Sequence, residues 1–214
     1  MLGCDKMFKK MKILVACESS GRVRDAFRVK SHDAWSCDVV DSENESDYHI
    51  KDDVLNHLGD GWDMMIAFPP CTYLTTAGNR WYDVDRYGDI AIGRKIKQRD
   101  AFNFVMKLAN ANIDKIAIEN PVGYLNTHWK KPTQIIQPFY FGEFERKRTC
   151  LWLKNLPLLQ ATKIVNPVIH GYLKTGIHAG EPLYYCDKPG FKNRSVDRSR
   201  TFPGIANAMA GQWS

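Results

Sequence analysis

"WDMMIAFPPCTYL", Trp62 to Leu74, decides how this chain is read. Trp62–Phe68 is an apolar run with little alternation, the pattern of a strand covered on both faces. Pro69 and Pro70 then end it, because proline lacks the N–H that a ladder needs. Directly after them comes a thiol, Cys71. In an α/β sheet the carboxyl ends of the strands are where ligands bind, so a thiol placed just past such a strand is well positioned to meet one.

Working outward, "KILVAC" (Lys12–Cys17) reads as a first buried strand and "DAWSCDVV" (Asp33–Val40) as a second. Between them "RVRDAFRVK" has helical character, with Val23 and Phe27 four apart. "RDAFNFVMKLANAN" (Arg99–Asn112) is an amphipathic helix with Phe102, Val105, Met106 and Ala109 on one face. "DKIAIEN" (Asp114–Asn120) is a further buried strand. The stretch from Pro69 to about Gln98 reads as a loop or lid. This alternation predicts a doubly wound, mostly parallel α/β sheet. "QIIQPFYFG" and "TCLWLKNL" add strands, and "GIANAMAGQW" (Gly204–Trp213) is a short C-terminal helix. The expected organisation is a catalytic core over 1–155, a turn-rich segment over 156–200, and a helix over 201–214 that returns to the core.

With 214 residues and 44% hydrophobic content, one domain with a sizeable core is expected. The net charge of +6 and pI of about 8.9 suit an acidic partner mildly. Six widely spaced cysteines form no CxxC pair, which argues against zinc and fits a reduced compartment. Cys17, Cys37 and Cys150 lie in apolar runs and read as core residues. No leader-like apolar segment follows "MLGCDKMFKKMK", and no run is long enough to span a membrane. A cytoplasmic protein is expected.

Ligands of such sheets bind at the carboxyl ends of the strands. "ESSG" (Glu18, Ser19, Ser20, Gly21) follows the first strand and is either a cofactor loop or a helix cap. Asp38 ends the second strand and either bonds a ribose or faces water. In "DDV", Asp53 either meets an adenine or caps a helix. Cys71 is a candidate nucleophile or a structural thiol. Glu119 ends its strand beside Asn120 and Pro121, as a proton-transfer group or a solvated carboxylate. Arg146, Lys147, Arg148 and the Arg194–Arg200 cluster could hold phosphates or form solvated faces. Cys71 and Glu119 end two strands on one edge, and that pairing points to covalent chemistry on a planar base.

In this order the motifs resemble the DNA cytosine carbon-5 methyltransferases, and most of all their short phage-type members. "ILVACESSG" stands where the family's first cofactor motif lies, and "PPC" matches its catalytic cysteine motif. "ENP" resembles its Glu-Asn-Val, "RKRTCLWL" its arginine motif and "IANAMAGQW" its closing motif. The likeness runs from about Lys12 to Trp213. It implies a Rossmann-like methyltransferase fold and a phage or prophage protein acting in a bacterial host cell. It implies S-adenosylmethionine as cofactor and a cytosine flipped out of DNA as substrate. By the same likeness Cys71 attacks carbon-6, Glu119 protonates nitrogen-3, and Arg148 steadies the base, with Arg146 as alternative. Glu18 to Gly21 and Pro69 line the cofactor, Asp38 holds its ribose, Asp53 meets the adenine, and Asn207 matches the closing motif's asparagine. The loop with Arg80, Trp81 and Tyr82 is expected to help hold an opened duplex, provided that Trp81 is exposed.

The chain departs from the family in three places. "CESSG" replaces a glycine pair after an aromatic, "ENP" replaces "ENV", and only Leu156–Arg200 stands where a recognition domain would be. Recognition is therefore expected to be short, relaxed or partner-assisted. The alternatives are a cytosine-modifying enzyme with another one-carbon donor or a free nucleotide, and a non-catalytic nucleic-acid-binding protein. A dinucleotide oxidoreductase is disfavoured by the missing GxGxxG. The sequence leaves the target site, strand preference and oligomeric state open.

Overall fold

A computed structural model describes residues 9–175, 179–184 and 199–214. Seven strands form one sheet in the order β3-β2-β1-β4-β5-β7-β6. They are β1 (Lys12–Ala16), β2 (Asp33–Asp38), β3 (His49–Lys51), β4 (Met64–Ala67), β5 (Lys115–Pro121), β6 (Gln134–Ile136) and β7 (Thr149–Lys154). The pairs β1–β2, β2–β3, β1–β4 and β4–β5 are parallel, while β7 runs antiparallel to both β5 and β6. The protein is thus α/β, with a mostly parallel mixed sheet flanked by helices.

The central strands are buried on both faces, as their unbroken apolar runs require: every residue of β4 has zero exposure. On one face α1 (Arg22–Val29) packs with the C-terminal helix α5 (Pro203–Gln212). Val23, Ala26 and Phe27 of α1 meet Ile205, Ala206, Ala208, Met209 and Ala210 of α5 in one core cluster. The small alanines let the two helices approach closely. The opposite face is covered by α3 (Asp89–Ala109) and the short α4 (Tyr124–His128), with Val105, Leu108 and Leu125 buried there. A short α2 (Val84–Tyr87) precedes α3.

Helix α3 begins ten residues earlier than the sequence predicts, inside the expected loop. Its first half has no single apolar stripe: Ile90, Ile92 and Ile96 are exposed and only Ala91 is buried there. Amphipathic periodicity is absent, and this half is tied down by polar contacts instead: Gln98 Nε2 donates to Tyr73 O at 3.0 Å, and Arg94 lies against the Tyr73 and Tyr82 rings. Both sheet edges, β3 and β6, are three residues long, which limits unpaired backbone.

The segment after β7 starts inside the core. Leu159 is buried, Trp213 Nε1 donates to Pro157 O (3.0 Å), and Gln212 and Gln160 bond each other's chains. Beyond it, β8 (Gly171–Tyr172) and β9 (Pro182–Leu183) form a separate antiparallel pair. Cys4, Cys186 and the Arg194–Arg198 part of the second basic cluster lie outside the described residues.

At the rim, His57 bridges two carboxylates, with Nδ1 2.9 Å from Asp60 and Nε2 3.1 Å from Asp52. The Asp60 hydrogen bond raises the imidazole pKa, partial burial opposes it, and Asp52 adds to it. A raised folded-state pKa means stability that is present in full below the ordinary value of about 6.5. That stability is lost as pH rises through the folded value. Thermal unfolding of the wild type should therefore lose stability relative to H57N as pH rises from about 6.5 through the raised folded value. Parallel curves for the two proteins would overturn this.

Candidate functional site

The topology reverses between β1 and β4, since the chain builds outward from β1 to β2 and β3 and then crosses to β4 and β5. Such a switch point opens a crevice at the carboxyl edge. The register aligns that edge: Ala16 pairs with Cys37 and Ala67, and Ala67 pairs with Ile118. The next residues, Cys17, Asp38, Phe68 and Glu119, therefore form one row.

Pro69 is buried and Cys71 is exposed, so the turn carries the thiol from the core to the surface. Three contacts fasten this turn to the end of β5. The buried Asn120 Nδ2 donates to Pro69 O at 2.9 Å. Tyr124 N–H donates to Leu74 O at 2.7 Å, and Thr75 bridges Gly123. Asn120 and Cys71 were legible as strand-end residues, but the bond between their two loops was not. It is a contact across 51 residues of sequence.

Glu119 lies in a small, shallow cleft of about 10 Å³ whose other walls include Phe68, Lys147, Thr149, Ser199, Thr201 and Met209. Loss of hydration raises its carboxyl pKa, and the charge of Lys147 works against that. A carboxyl group held up in this way keeps its proton to higher pH than a solvated one, which favours a proton-donor role.

Of the thiols, burial together with the Asp38 carboxylate drives Cys17 far up. Cys37 is pushed up to about 12, chiefly by burial and Asp52. Burial also raises Cys150. Cys37 and Cys150 are buried as expected, while Cys17 is only partly so and has φ 58°. Cys71 is the exposed thiol among the described residues.

The "ESSG" turn caps its own helix. Buried Glu18 accepts from Val23 N–H (2.8 Å), Arg24 N–H (3.3 Å) and Ser20 Oγ (3.2 Å). Burial raises its pKa against the pull of those bonds. Gly21 has φ 70°, and a Cβ there would lie 2.2 Å from Arg24 Nη2. Its glycine thus makes room for a fully buried arginine, which sequence reading missed. Arg24 is satisfied by Asp25 (2.8 Å), Ser36 (2.9 Å) and Asn44 (2.9 Å). Ser19 O accepts from Glu43 N–H, and Ser20 Oγ donates to Glu18 while accepting from Arg22 N–H (3.4 Å).

Asp38 ends β2, accepting from Val40 N–H at 3.3 Å. Asp53 is exposed and caps the turn Val54–Asn56 through Leu55 N–H (3.0 Å). Both carboxylates act on the Cys17 thiol, so both reach the end of β1 electrostatically. Asn207 is exposed on α5, where Ile205 and Met209 face the cleft. Arg148 is exposed and its charge acts on Cys150, while Arg146 lies 5.4 Å over the Tyr184 ring. Arg200 pairs with Glu43 at 2.8 Å.

Next to Cys71, cations and aromatic rings interleave. Arg80 lies over Trp81, Trp81 packs on Tyr87 at 4.8 Å, and Arg94 sits 5.2 Å from both Tyr73 and Tyr82. Trp81 is 36% exposed. Among the described residues no helix is long and apolar enough to cross a membrane, and no cluster of metal-ligating side chains occurs. Comparison with protein-family models and with curated proteins finds no match.

Proposed function

We propose that this protein is a DNA cytosine carbon-5 methyltransferase that works through a covalent Cys71 adduct on a Rossmann-like methyltransferase fold. The observation that carries the reading is the Asn120–Pro69 hydrogen bond. It ties the loop of the nucleophile to the strand end of the acid, so both are presented at one edge of the sheet. The parallel order from β3 to β5, with its switch between β1 and β4, supports the fold.

Carbon-5 of cytosine is a poor nucleophile until carbon-6 carries a covalent bond. The Cys71 thiolate bonds to carbon-6. The carbon-5/carbon-6 electron pair shifts toward carbon-4, and nitrogen-3 takes the proton of Glu119. Carbon-5 is then an enamine carbon and accepts a methyl group. Loss of the carbon-5 proton re-forms the double bond and expels the Cys71 thiolate. The raised pKa of Glu119 suits this donor role. In a duplex the base must leave the stack at a cost of a few kcal/mol. The exposed Trp81 and its cationic neighbours form a surface that could hold the opened strand.

S-adenosylmethionine supplies the methyl group from its sulfonium when bound. The residues present fit it: Asp38 and Asp53 converge electrostatically on the end of β1, an acidic setting that suits a cationic sulfonium ligand. Asp38 would hold the ribose, the Ser19–Ser20 turn the methionine end, and Pro69 and Phe68 the floor. Glu18 and Gly21 support the turn from within.

Labelled S-adenosylmethionine incubated with cytosine-containing DNA should transfer label to cytosine. Absence of transfer, together with absence of cofactor binding, would overturn the reading. DNA binding without transfer would favour the non-catalytic alternative.

A further inference from the structure

We propose that Lys147, between the two arginines of "RKR", is the cation that meets the target base beside Glu119. The assignment rests on the proposed cytosine chemistry and adds a residue to it. It follows from the antiparallel register of β5 and β7. Glu119 stands opposite Leu151, and Pro121 opposite Thr149. Side chains alternate along a strand, so Leu151, Thr149 and, continuing the pattern, Lys147 share the face of Glu119. Asn120 stands opposite Cys150 on the other face, which is also the face of Arg148 and Arg146 by the same count.

Two independent observations agree with the count. Lys147 and Thr149 line the cleft with Glu119, and neither flanking arginine does. The charge of Lys147 acts on the Glu119 carboxyl, whereas that of Arg148 acts on the Cys150 thiol behind the strand. Arg146 is directed to the Tyr184 ring.

The chemistry needs such a cation. When Cys71 adds to carbon-6, negative charge develops over nitrogen-3 and the ring carbonyl oxygen. Glu119 serves nitrogen-3 with a proton. The Lys147 ammonium, two residues before β7, donates to the carbonyl oxygen as charge develops on it. An ammonium is a point donor and does not need the planar fork of a guanidinium.

The test uses the full chain, S-adenosylmethionine and DNA containing 5-fluorocytosine. Fluorine leaves no proton to remove from carbon-5, so the Cys71 adduct persists and is counted on a denaturing gel. Wild type should form it, and C71S should not. K147Q should slow adduct formation about a hundredfold, the loss typical of a removed charge-stabilising donor. K147R should recover most of the rate, which controls for folding. The pH at which the rate falls should move upward in K147Q, because Glu119 loses the charge that holds its pKa down. A wild-type rate in K147Q, or a larger loss in R148Q than in K147Q, would overturn the assignment. If wild type forms no adduct, the methyltransferase reading itself fails and this assignment falls with it.

Discussion

Cys71→Ser is expected to abolish methyl transfer while leaving the fold and DNA binding in place. The side chain is exposed, so a hydroxyl in place of a thiol disturbs no core packing. The chemical change is large. A thiol ionises near pH 8.5, within reach of neutral conditions, whereas a serine hydroxyl does not, and the adduct at carbon-6 requires the anion. Loss of a covalent nucleophile lowers turnover by roughly 10⁴-fold or more. Thermal unfolding of the variant should match wild type, and gel-shift affinity for DNA should persist. Turnover near the wild-type rate would refute the covalent mechanism, whatever the cofactor.

The second large effect is expected at a residue that touches no substrate. Gly123 has an extended backbone that any residue adopts, so its conformation alone does not demand glycine. Its surroundings do: a Cβ there would lie 2.0 Å from Leu74 O and 3.0 Å from Leu74 C. Both are backbone atoms of the segment that carries Cys71, and no rotamer change relieves the clash. Gly123→Ala must push the Pro69–Thr75 segment away from β5, stretching the Tyr124–Leu74 hydrogen bond and then the Asn120–Pro69 bond. Overpacking of this kind costs about 1–3 kcal/mol or more. For a chain of this size that lowers Tm by roughly 2–12 °C. The thiol would also shift relative to Glu119, and a displacement of about 1 Å can cost about a hundredfold in rate. Thermal unfolding and adduct formation on 5-fluorocytosine DNA measure the two effects separately. A variant unchanged in both would mean that the two loops do not cross as closely as described.

How much of this was legible in the sequence depends on where each signal resides. The central strands were readable because burial on both faces leaves continuous apolar runs, as in "MMIA" and "IAI". The doubly wound alternation followed, and with it the carboxyl edge that carries Ser19, Asp38, Cys71 and Glu119, whereas the reversal between β1 and β4 is seen only in the structure. The first half of α3 was not readable, because its isoleucines face outward and break the periodicity. The edge strand β3 was hidden in a polar stretch, since it pairs on one side only. At the site, residue types were legible and most of their partners were not. Glu18 turned inward to cap α1, Asp53 caps a turn, and Gly21 admits Arg24. Capping by the "ESSG" turn and by Asp53 was legible as one of two readings, because those partners lie two to six residues away, but the burial of Glu18 and Arg24 depends on packing that no short pattern encodes. Lys147 could have been found by counting back from "TCLWL" in steps of two. A motif-based likeness instead favours the arginines on either side.

The place of β7 has a consequence for how the molecule comes into being. β7 lies between β5 and β6, although it is made after both. The outer edge of β5, which carries Glu119, therefore has no neighbour until residues 149–154 leave the ribosome. β6 cannot complete the sheet on its own, because its only pairing is with β7. The last pieces follow later still: Arg200 pairs with Glu43 across 157 residues, and α5 covers α1. Contacts this distant in sequence slow folding and prolong the exposure of open strand edges. The cleft beside Glu119 is consequently assembled only after Ser199–Met209 have been made, so Cys71 and Glu119 both leave the ribosome well before its walls exist.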